Sequence, residues 1–455
     1  MPIGESSPIP LLIPAVDHIQ LLKSGLGFSI CCRLADDFLA SPSRPANQSL
    51  TIIFTTRSSR KGSDTLHRLQ EYLRASPHQQ HADRVTFTPE NVDLCNLVSV
   101  RALSRRLTAT LPKLDAVVLN AGLGGWTGID WPRAVFGILT DLVHEVSWPS
   151  YKIAPAGVVL DPQIPSVSDE KKGDGNDGSD EGEPRLGTVF CANVFGHYIL
   201  AHNVMSLLRK GSGGGHASPI DGPGRVIWVS SLEATVNLFD AEDIQGLRTT
   251  STYESSKALT DILALTSNLP STAPWVNSFY STNTNPDDEP NTAKPNMYVS
   301  HPGICGTTIL PLSLPLFYSM IMAFWLARFL GSPWHTLSTY LGACAPVWLA
   351  VSPQPVLDDA EAPYVRHGGG RVKWGSSCSL RGSDSPVSTE VDGWGHGGVV
   401  GSAVVEADRA RRRKRGAVDL SADEKVCFEE LGRECWRQME ELRIRWDRLL
   451  DKAGI

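Results

Sequence analysis

Tyr253 and Lys257 stand four residues apart in the stretch STYESSKALTDILAL, which has the composition of a helix. At that separation two helical side chains lie on the same face. Free tyrosine has a pKa of about 10, and a neighbouring ammonium favours the phenolate and lowers that pKa. The pair therefore predicts a phenol that acts as a general acid, with an ordinary surface pair on a helix as the alternative.

Other polar residues and glycines stand where predicted strands end or a helix begins. They are Ser230 and Ser231, Asn120, Ala121 and Gly122, Pro302 and Gly303, and Asn193. A serine hydroxyl can bond a substrate carbonyl, Asn193 can hold a water, and Gly122 leaves room for a ligand. Ligands of an open α/β sheet bind outside the carboxyl ends of its strands, where these residues would meet.

The elements that must position these residues alternate along the chain. Apolar strands are predicted at residues 50–58, 115–122, 225–231 and 297–303, with helices at 64–75, 99–111 and 195–210. Alternation of this kind produces βαβ units. The sequence predicts an α/β fold, a doubly wound parallel sheet of the Rossmann-like kind.

Composition limits the classes of partner. The 455 residues carry a formal charge of −7, which argues against nucleic acid as the main partner. Nine cysteines include no CxxC pair, so we expect no metal site, no disulfide framework and a reducing compartment.

Several segments depart from the α/β pattern. Residues 161–184 and 268–296 are predicted to be flexible insertions, and residues 368–386 a loop. Residues 352–455 form a C-terminal extension that ends in an amphipathic helix with a Ser421/Glu424 capping box. We expect that helix to dock on its own domain rather than form a coiled coil. The run Arg411–Arg415 is expected to be solvated, with contact to anionic lipid or cleavage as alternatives.

The apolar stretch 310–330 contains a single charge, Arg328. About 20 apolar residues span a bilayer, but Pro311 and Pro315 predict that the helix begins near Leu316 and is short for spanning. We expect residues 310–351 to form a membrane-associated or lid segment; a buried core helix and a true span are the alternatives.

Taken in order, these motifs resemble those of the short-chain dehydrogenase/reductase family over about residues 22–310. The matching motifs are SGLG, Asp93-Leu94, Asn120-Ala121-Gly122, Asn193, Ser231, Tyr253 with Lys257, and Pro302-Gly303 to Thr307. The resemblance implies that Tyr253 donates a proton, Lys257 tunes it and binds the ribose, Ser231 orients the carbonyl, and Asn193 completes a water-linked relay. It implies a cofactor site made of Ser24, Gly25, Gly27, Arg57, Asp93, Leu94, Asn120, Ala121, Gly122, Tyr253, Lys257, Pro302, Gly303 and Thr307, within a reductase domain at residues 24–309.

The residues after the second strand favour NADP(H). NAD sites place an acid there on the ribose, whereas a 2′-phosphate calls for arginine. Here Arg57, Arg60 and Lys61 precede the first acid, Asp64. A solvated basic turn is the alternative.

Within the family, segments such as VFCANVFGHYILAHNV and YESSKALTDIL resemble the fungal-type 3-keto-steroid reductases of sterol C-4 demethylation. That branch implies NADPH-dependent reduction of a 3-keto-4-methyl sterol to the 3β-alcohol. It also implies the endoplasmic reticulum membrane or a lipid droplet, with other demethylation enzymes and the sterol cyclase as partners. The alternatives are a reductase of another lipophilic carbonyl, such as a 17-keto steroid or a retinoid-like aldehyde, and a catalytically weak scaffold.

One motif departs from the family. The family turn reads TGxxxGxG, but Gln20 and Leu21 stand where its threonine and first glycine belong, and residues 11–22 make a poor first strand. The atypical segment 1–23 therefore indicates either a mistaken gene start or splice, or weakened cofactor binding.

Overall fold

The computed structural model describes residues 9–14, 25–42, 44–164, 182–209, 223–281, 294–307 and 312–455. Its strands are β1 Ile9–Pro14, β2 Leu50–Thr56, β3 Val85–Asn91, β4 Ala116–Leu119, β5 Gly128–Ile129, β6 Lys152–Ile153, β7 Arg225–Val229, β8 Asn296–His301, β9 Lys373–Cys378 and β10 Asp384–Thr389. Its α-helices are α1 Leu26–Ala40, α2 Ser59–Ala75, α3 Leu97–Thr110, α4 Trp131–Glu145, α5 Thr188–Phe190, α6 Gly196–Asn203, α7 Met205–Arg209, α8 Thr252–Leu265, α9 Ala273–Tyr280, α10 Leu314–Phe329, α11 Thr339–Gly342, α12 Cys344–Val351, α13 Gln354–Arg366, α14 Glu406–Arg409 and α15 Ala422–Lys452.

Eight strands form one sheet in the order β10-β9-β8-β7-β4-β1-β2-β3. Neighbouring strands are parallel except β9 and β10. The strand order reverses between β1 and β4, which is where ligands bind in this class of sheet. The predicted doubly wound fold is confirmed.

Strand side chains alternate between two helical layers because successive residues of a strand point to opposite faces. Val117 and Val226 belong to the core formed with α3, α6 and α8. Val118 and Ile227 belong to the core formed with α1, α2 and α12. Both faces of the sheet are covered, which explains why its central strands are almost continuously apolar.

The predicted loop at 368–386 is wrong, because it contains β9 and most of the β9–β10 hairpin. The sequence KWGSSC of β9 lacks the apolar character of the central strands, yet every residue of it is buried. A Cβ atom at Gly375 would lie 2.3 Å from Nε2 of His301, so a side chain there would prevent β9 from packing on β8. Close packing, not β propensity, selects these residues.

The boundaries predicted around two other segments also need correction. The insertion at 268–296 is wrong over its first part, because α9 buries Val276, Phe279 and Tyr280; residues 282–293 lie outside the described residues. The segment 310–351 is wrong at its end, because α12 is a core helix packed between α1 and the sheet. The predicted insertion 161–184 falls largely on residues 165–181, outside the described residues.

The C-terminal helix α15 docks on the chain's own domain, as predicted. Its Ser421/Glu424 capping box is formed, and Phe428, Cys435, Met439 and Trp446 are buried. The main contacts of α15 are with α8 and α9. Because α8 carries Tyr253, the extension supports the helix of the candidate site.

The basic run 411–415 is not simply solvated as expected. Arg411 donates to the Ser388 carbonyl and pairs with Asp408 at 2.7 Å, with only 11% of its side chain exposed. Arg415 is 64% exposed and contacts Asp141 of α4. The run links the C-terminal extension to α4.

Candidate active site

Two of the predicted catalytic residues meet at the carboxyl end of β7. Tyr253 lies in the first turn of α8, and Ser231 follows β7 by two residues. The Ser231 hydroxyl lies close enough to the Tyr253 phenol to lower its pKa, and it accepts a hydrogen bond from the Glu233 amide at 3.1 Å. A hydroxyl and a phenol placed side by side at one strand end can both reach one carbonyl oxygen.

The pKa of Tyr253 moves in the opposite direction to the one predicted. Burial raises it, and the negative charge of Glu233 raises it further. Lys257 does not offset these effects, since its Nζ lies 5.9 Å from the Tyr253 ring centroid and donates elsewhere. The phenol is therefore protonated at neutral pH, which is the form an acid needs in the reductive direction.

Lys257 is buried beside the end of β7. Its Nζ donates to the Val229 carbonyl oxygen at 2.9 Å, and a Cβ at Gly122 would lie 3.7 Å from the same nitrogen. Burial lowers the pKa of Lys257 to about 8; Asp261 acts in the opposite direction and Lys373 in the same direction. The ammonium thus faces the carboxyl ends of both β7 and β4.

Asn193 joins the loop after β4 to α8. It lies in a π-helical turn, Cys191–Phe195, which leads directly into α6. Its Oδ1 accepts from the Leu123 amide at 2.6 Å, and its Nδ2 donates to the Leu123 carbonyl at 3.0 Å and to the Ser256 hydroxyl at 2.9 Å. In this structure the amide holds protein groups together; its role in a water relay stays a prediction.

Two of the remaining strand-end residues are hydrogen-bonded within the protein, and one carries an acceptor without a partner. Ser230 donates to the Lys257 carbonyl at 3.3 Å, and the Ala121 carbonyl accepts from Nε2 of His197 at 2.9 Å. By contrast, Oδ1 of Asn120 is buried without a hydrogen-bond partner within the described structure. A buried acceptor of this kind at a strand end fits a polar ligand.

The turn after β8 requires its glycine. Gly303 has a φ of +69°, and a Cβ there would lie 2.4 Å from the Trp334 carbonyl oxygen. Its amide donates to Nδ1 of His301 at 3.0 Å. Pro302 precedes this turn and Thr307 follows it, half-buried, as the last described residue before the gap.

The other predicted cofactor residues lie at the carboxyl ends of β1, β2 and β3. Gly25 caps α1, where a Cβ would meet nothing within 4 Å, and Gly27 is buried in the first turn. Arg57 is exposed directly after β2. Asp93 accepts from the Cys95 amide at 3.0 Å, and the Leu94 carbonyl lies against the π-helical turn through the Cys191 thiol.

Part of the predicted dinucleotide turn lies outside the described residues, namely Ser24, Gln20 and Leu21. The described part fits a dinucleotide: α1 presents an open amino terminus and Asn120 an unpartnered acceptor. Amide groups at a helix amino terminus bind phosphates. β1 also pairs with β2 and β4, so the first strand lies at Ile9–Pro14, ahead of most of the poor stretch at 11–22.

Reasoning from the sequence missed a charged and aromatic cover over Tyr253. The Trp126 ring lies 4.7 Å from the Tyr253 ring, and Nζ of Lys152 lies 3.7 Å from the Trp126 ring. Lys152 contacts Glu233 and lies 3.8 Å from Glu254. The position of Glu233, two residues after Ser231, was a usable signal; nothing in the sequence indicates Lys152 or Trp126.

Comparison with known proteins adds relatives to this geometry. The chain is 68% identical over 440 residues to 3-keto-steroid reductase erg27 of Aspergillus fumigatus, covering 95% of this chain and 94% of the relative. It is 37% identical to 3-keto-steroid reductase ERG27 of Gibberella zeae, covering 96% of each. No family model matches. Among solved structures, a 7α-hydroxysteroid dehydrogenase matches at 15% identity and a TM-score of 0.39, covering 77% of this chain and 89% of that one, too little to support an argument. With the identity and coverage of its relatives, the chain belongs to the 3-keto-steroid reductases.

Proposed function

We infer that this protein is an oxidoreductase that reduces the 3-keto group of a sterol in ergosterol-type biosynthesis. The observation that carries this conclusion is the placement of Ser231 and Tyr253 together at the carboxyl end of β7, in a chain 68% identical to a 3-keto-steroid reductase. We further propose that the substrate is a 4-methyl sterol and the product its 3β-alcohol.

The chain's own residues supply the acid and its surroundings. The Ser231 hydroxyl and the Tyr253 phenol bind the ketone oxygen, and Tyr253 then gives its proton to that oxygen. Burial keeps Tyr253 protonated, so it enters the reaction as an acid. Lys257 donates to the Val229 carbonyl rather than to the phenol, so we assign its positive charge to binding the cofactor.

We propose NADP(H) as the cofactor, which supplies a hydride when bound. Gly25 and the amino terminus of α1 would hold its phosphates, and Asn120 would accept a hydrogen bond from it. Arg57, with Arg60 and Lys61 exposed at the start of α2, would pair with a 2′-phosphate.

Product analysis with a panel of ketones tests the substrate. The purified protein is given NADPH and a 3-keto-4-methyl sterol, a 17-keto steroid or a retinoid-like aldehyde. The proposal predicts the highest kcat/KM for the 3-keto sterol, with a 3β-alcohol as product. A clear preference for the 17-keto steroid or the aldehyde would overturn it, and cofactor binding without any turnover would favour the scaffold alternative.

We also propose that the enzyme rests on a lipid surface. Within the described residues no helix is long and apolar enough to cross a membrane. Two neighbouring helices nevertheless expose large apolar side chains: Phe136 and Leu139 on α4 are 72% and 81% exposed, and Met322 and Phe329 on α10 are 71% and 73% exposed. Patches of this kind are uncommon on soluble monomers unless they bind something.

The charges around these helices suit a lipid surface. Arg328 is the only charged residue of α10, and it is 3% exposed because it points inward to the Ser379 carbonyl. Arg412 and Arg415 lie beside α4, with side chains 46% and 64% exposed. The exposed side of α10 is therefore apolar, with arginines near α4 that can bind anionic headgroups.

Vesicle sedimentation tests this surface. Phe136→Ser/Leu139→Ser and Met322→Ser/Phe329→Ser should each lower binding to anionic phospholipid vesicles at least about tenfold. Val418→Ser, which removes a 68% exposed apolar side chain elsewhere, should not. If the double variants bind like wild type, or instead change only self-association, the lipid proposal is wrong.

We propose the cytoplasmic face of the endoplasmic reticulum or a lipid droplet as the location, which cell fractionation tests. We propose the other sterol C-4 demethylation enzymes and the sterol cyclase as partners, which co-purification tests.

A further inference from the structure

Lys373 contacts the site from the strand β9. It is 2% exposed, and its Nζ donates to the Ser231 carbonyl oxygen at 2.7 Å and to Oδ2 of Asp261 at 2.6 Å. Asp261 is fully buried on α8, one helical turn after Lys257. We propose that Lys373 is a positioning residue of the reductase site: with Asp261, it fixes the Ser231 main chain and balances the charge beside Lys257.

Stability alone gives little reason to keep this pair. A buried ion pair is often no more stabilising than apolar residues of the same volume, because both charges lose their hydration. This pair, however, joins two groups of the site. Its ammonium bonds the carbonyl of the residue that binds the ketone, and its carboxylate lies on the helix face that carries Tyr253 and Lys257.

The pair acts on Lys257 with opposite charges. Burial lowers the pKa of Lys257 to about 8, Asp261 raises it and Lys373 lowers it. Within the described residues, Tyr253 on α8, His197 on α6 and His301 on β8 also lie near the two lysines. Burial lowers the pKa of His197 to about 3 and that of His301 well below its usual range, so both stay neutral. Further charged groups line a cavity beside Lys373, namely Glu390, Asp392, His396 and the basic run 411–414, but the charges that act on Lys257 are Asp261 and Lys373.

Two single variants separate positioning from a merely structural role. Lys373→Met removes the bond to the Ser231 carbonyl, and we expect a kcat at least about tenfold lower with little change in the KM for sterol. Lys373→Met also leaves the negative charge of Asp261 unopposed, which raises the pKa of Lys257. The alkaline limb of the pH–activity profile, where activity falls as the pH rises, should therefore move up by about one pH unit. Asp261→Asn should move the limb down by a similar amount, with a smaller loss of kcat.

Controls keep the outcome interpretable. The double variant Lys373→Met/Asp261→Leu removes both charges and should fold even if a single variant does not. Its kcat should still be low, and the alkaline limb of its pH–activity profile should lie close to that of wild type. Lys113→Met breaks a 3.0 Å pair at the opposite end of β4 and should change neither quantity. The limb is also measured as the pH dependence of NADPH binding, which requires no steroid.

The inference rests on the proposed function, but the two can fail separately. If wild type binds NADPH but reduces no 3-keto steroid, the proposed function is refuted. The pH dependence of NADPH binding would then still report on the pKa of Lys257. Wild-type kcat and pH profile in folded Lys373→Met would overturn the positioning role. So would a shift of the limb in the same direction in both single variants.

Discussion

Replacing Asn193 with alanine should loosen the site and destabilise the protein together. Asn193 is 1% exposed, and its amide makes three hydrogen bonds, two to the Leu123 backbone and one to Ser256. Each contributes a net of about 1 kcal/mol, so we expect the free energy of unfolding to fall by about 3 kcal/mol. The Leu123 loop would no longer be held against α8, and misplacement of that loop should lower kcat at least about tenfold.

Urea unfolding followed by tryptophan fluorescence measures the stability change, and NADPH oxidation with a 3-keto steroid measures kcat. Asn203→Ala is the matched control, because Asn203 is half-buried in α6 and makes none of these contacts. It should cost less than about 1 kcal/mol and leave kcat unchanged. If Asn193→Ala unfolds at the same urea concentration as wild type and keeps its kcat, the account of Asn193 as a clamp is wrong.

Four further predictions follow from single contacts. Gly303→Ala should destabilise the protein by about 2–4 kcal/mol in thermal unfolding, because φ is +69° and the new Cβ would meet a carbonyl oxygen. Arg443→Leu should cost about 3–5 kcal/mol in urea unfolding, because it leaves the buried Glu440 carboxylate without its 2.7 Å partner. The pKa of Lys257 is lowered to about 8, so its charge is lost as the pH rises through that value and kcat/KM should decline above it in a pH profile. Arg57→Ala should raise the KM for NADPH about tenfold and leave that for NADH unchanged in steady-state assays.

The central part of the fold and the catalytic residues were predictable from sequence for a physical reason. The central strands are buried on both faces, so β2, β4 and β7 are almost continuously apolar and stand out. Their ends position Asn120 and Ser231, and the four-residue spacing in α8 positions Tyr253 and Lys257. In these elements the local pattern and the tertiary structure agree.

What sequence reasoning missed depends on contacts between distant segments. Apart from Trp374, β9 is made of small, polar or charged residues, and it is a strand because β8 and β10 pair with it. Lys373 therefore had no visible link to Ser231, which precedes it by 142 residues. Similarly, the pKa of Tyr253 depends on burial and on Glu233, so the spacing of the tyrosine and lysine alone predicted the wrong direction.

The most direct test is transfer of deuteride from NADPH that carries deuterium at both nicotinamide C4 positions to a 3-keto-4-methyl sterol, with wild type and Tyr253→Phe side by side. Wild type should give a 3β-alcohol with deuterium at C3. Tyr253→Phe should have a kcat about 10²–10⁴-fold lower, with NADPH binding retained. A Tyr253→Phe variant that binds NADPH and turns over like wild type would contradict the assignment of Tyr253 as the acid, and a product without deuterium at C3 would contradict the reaction itself.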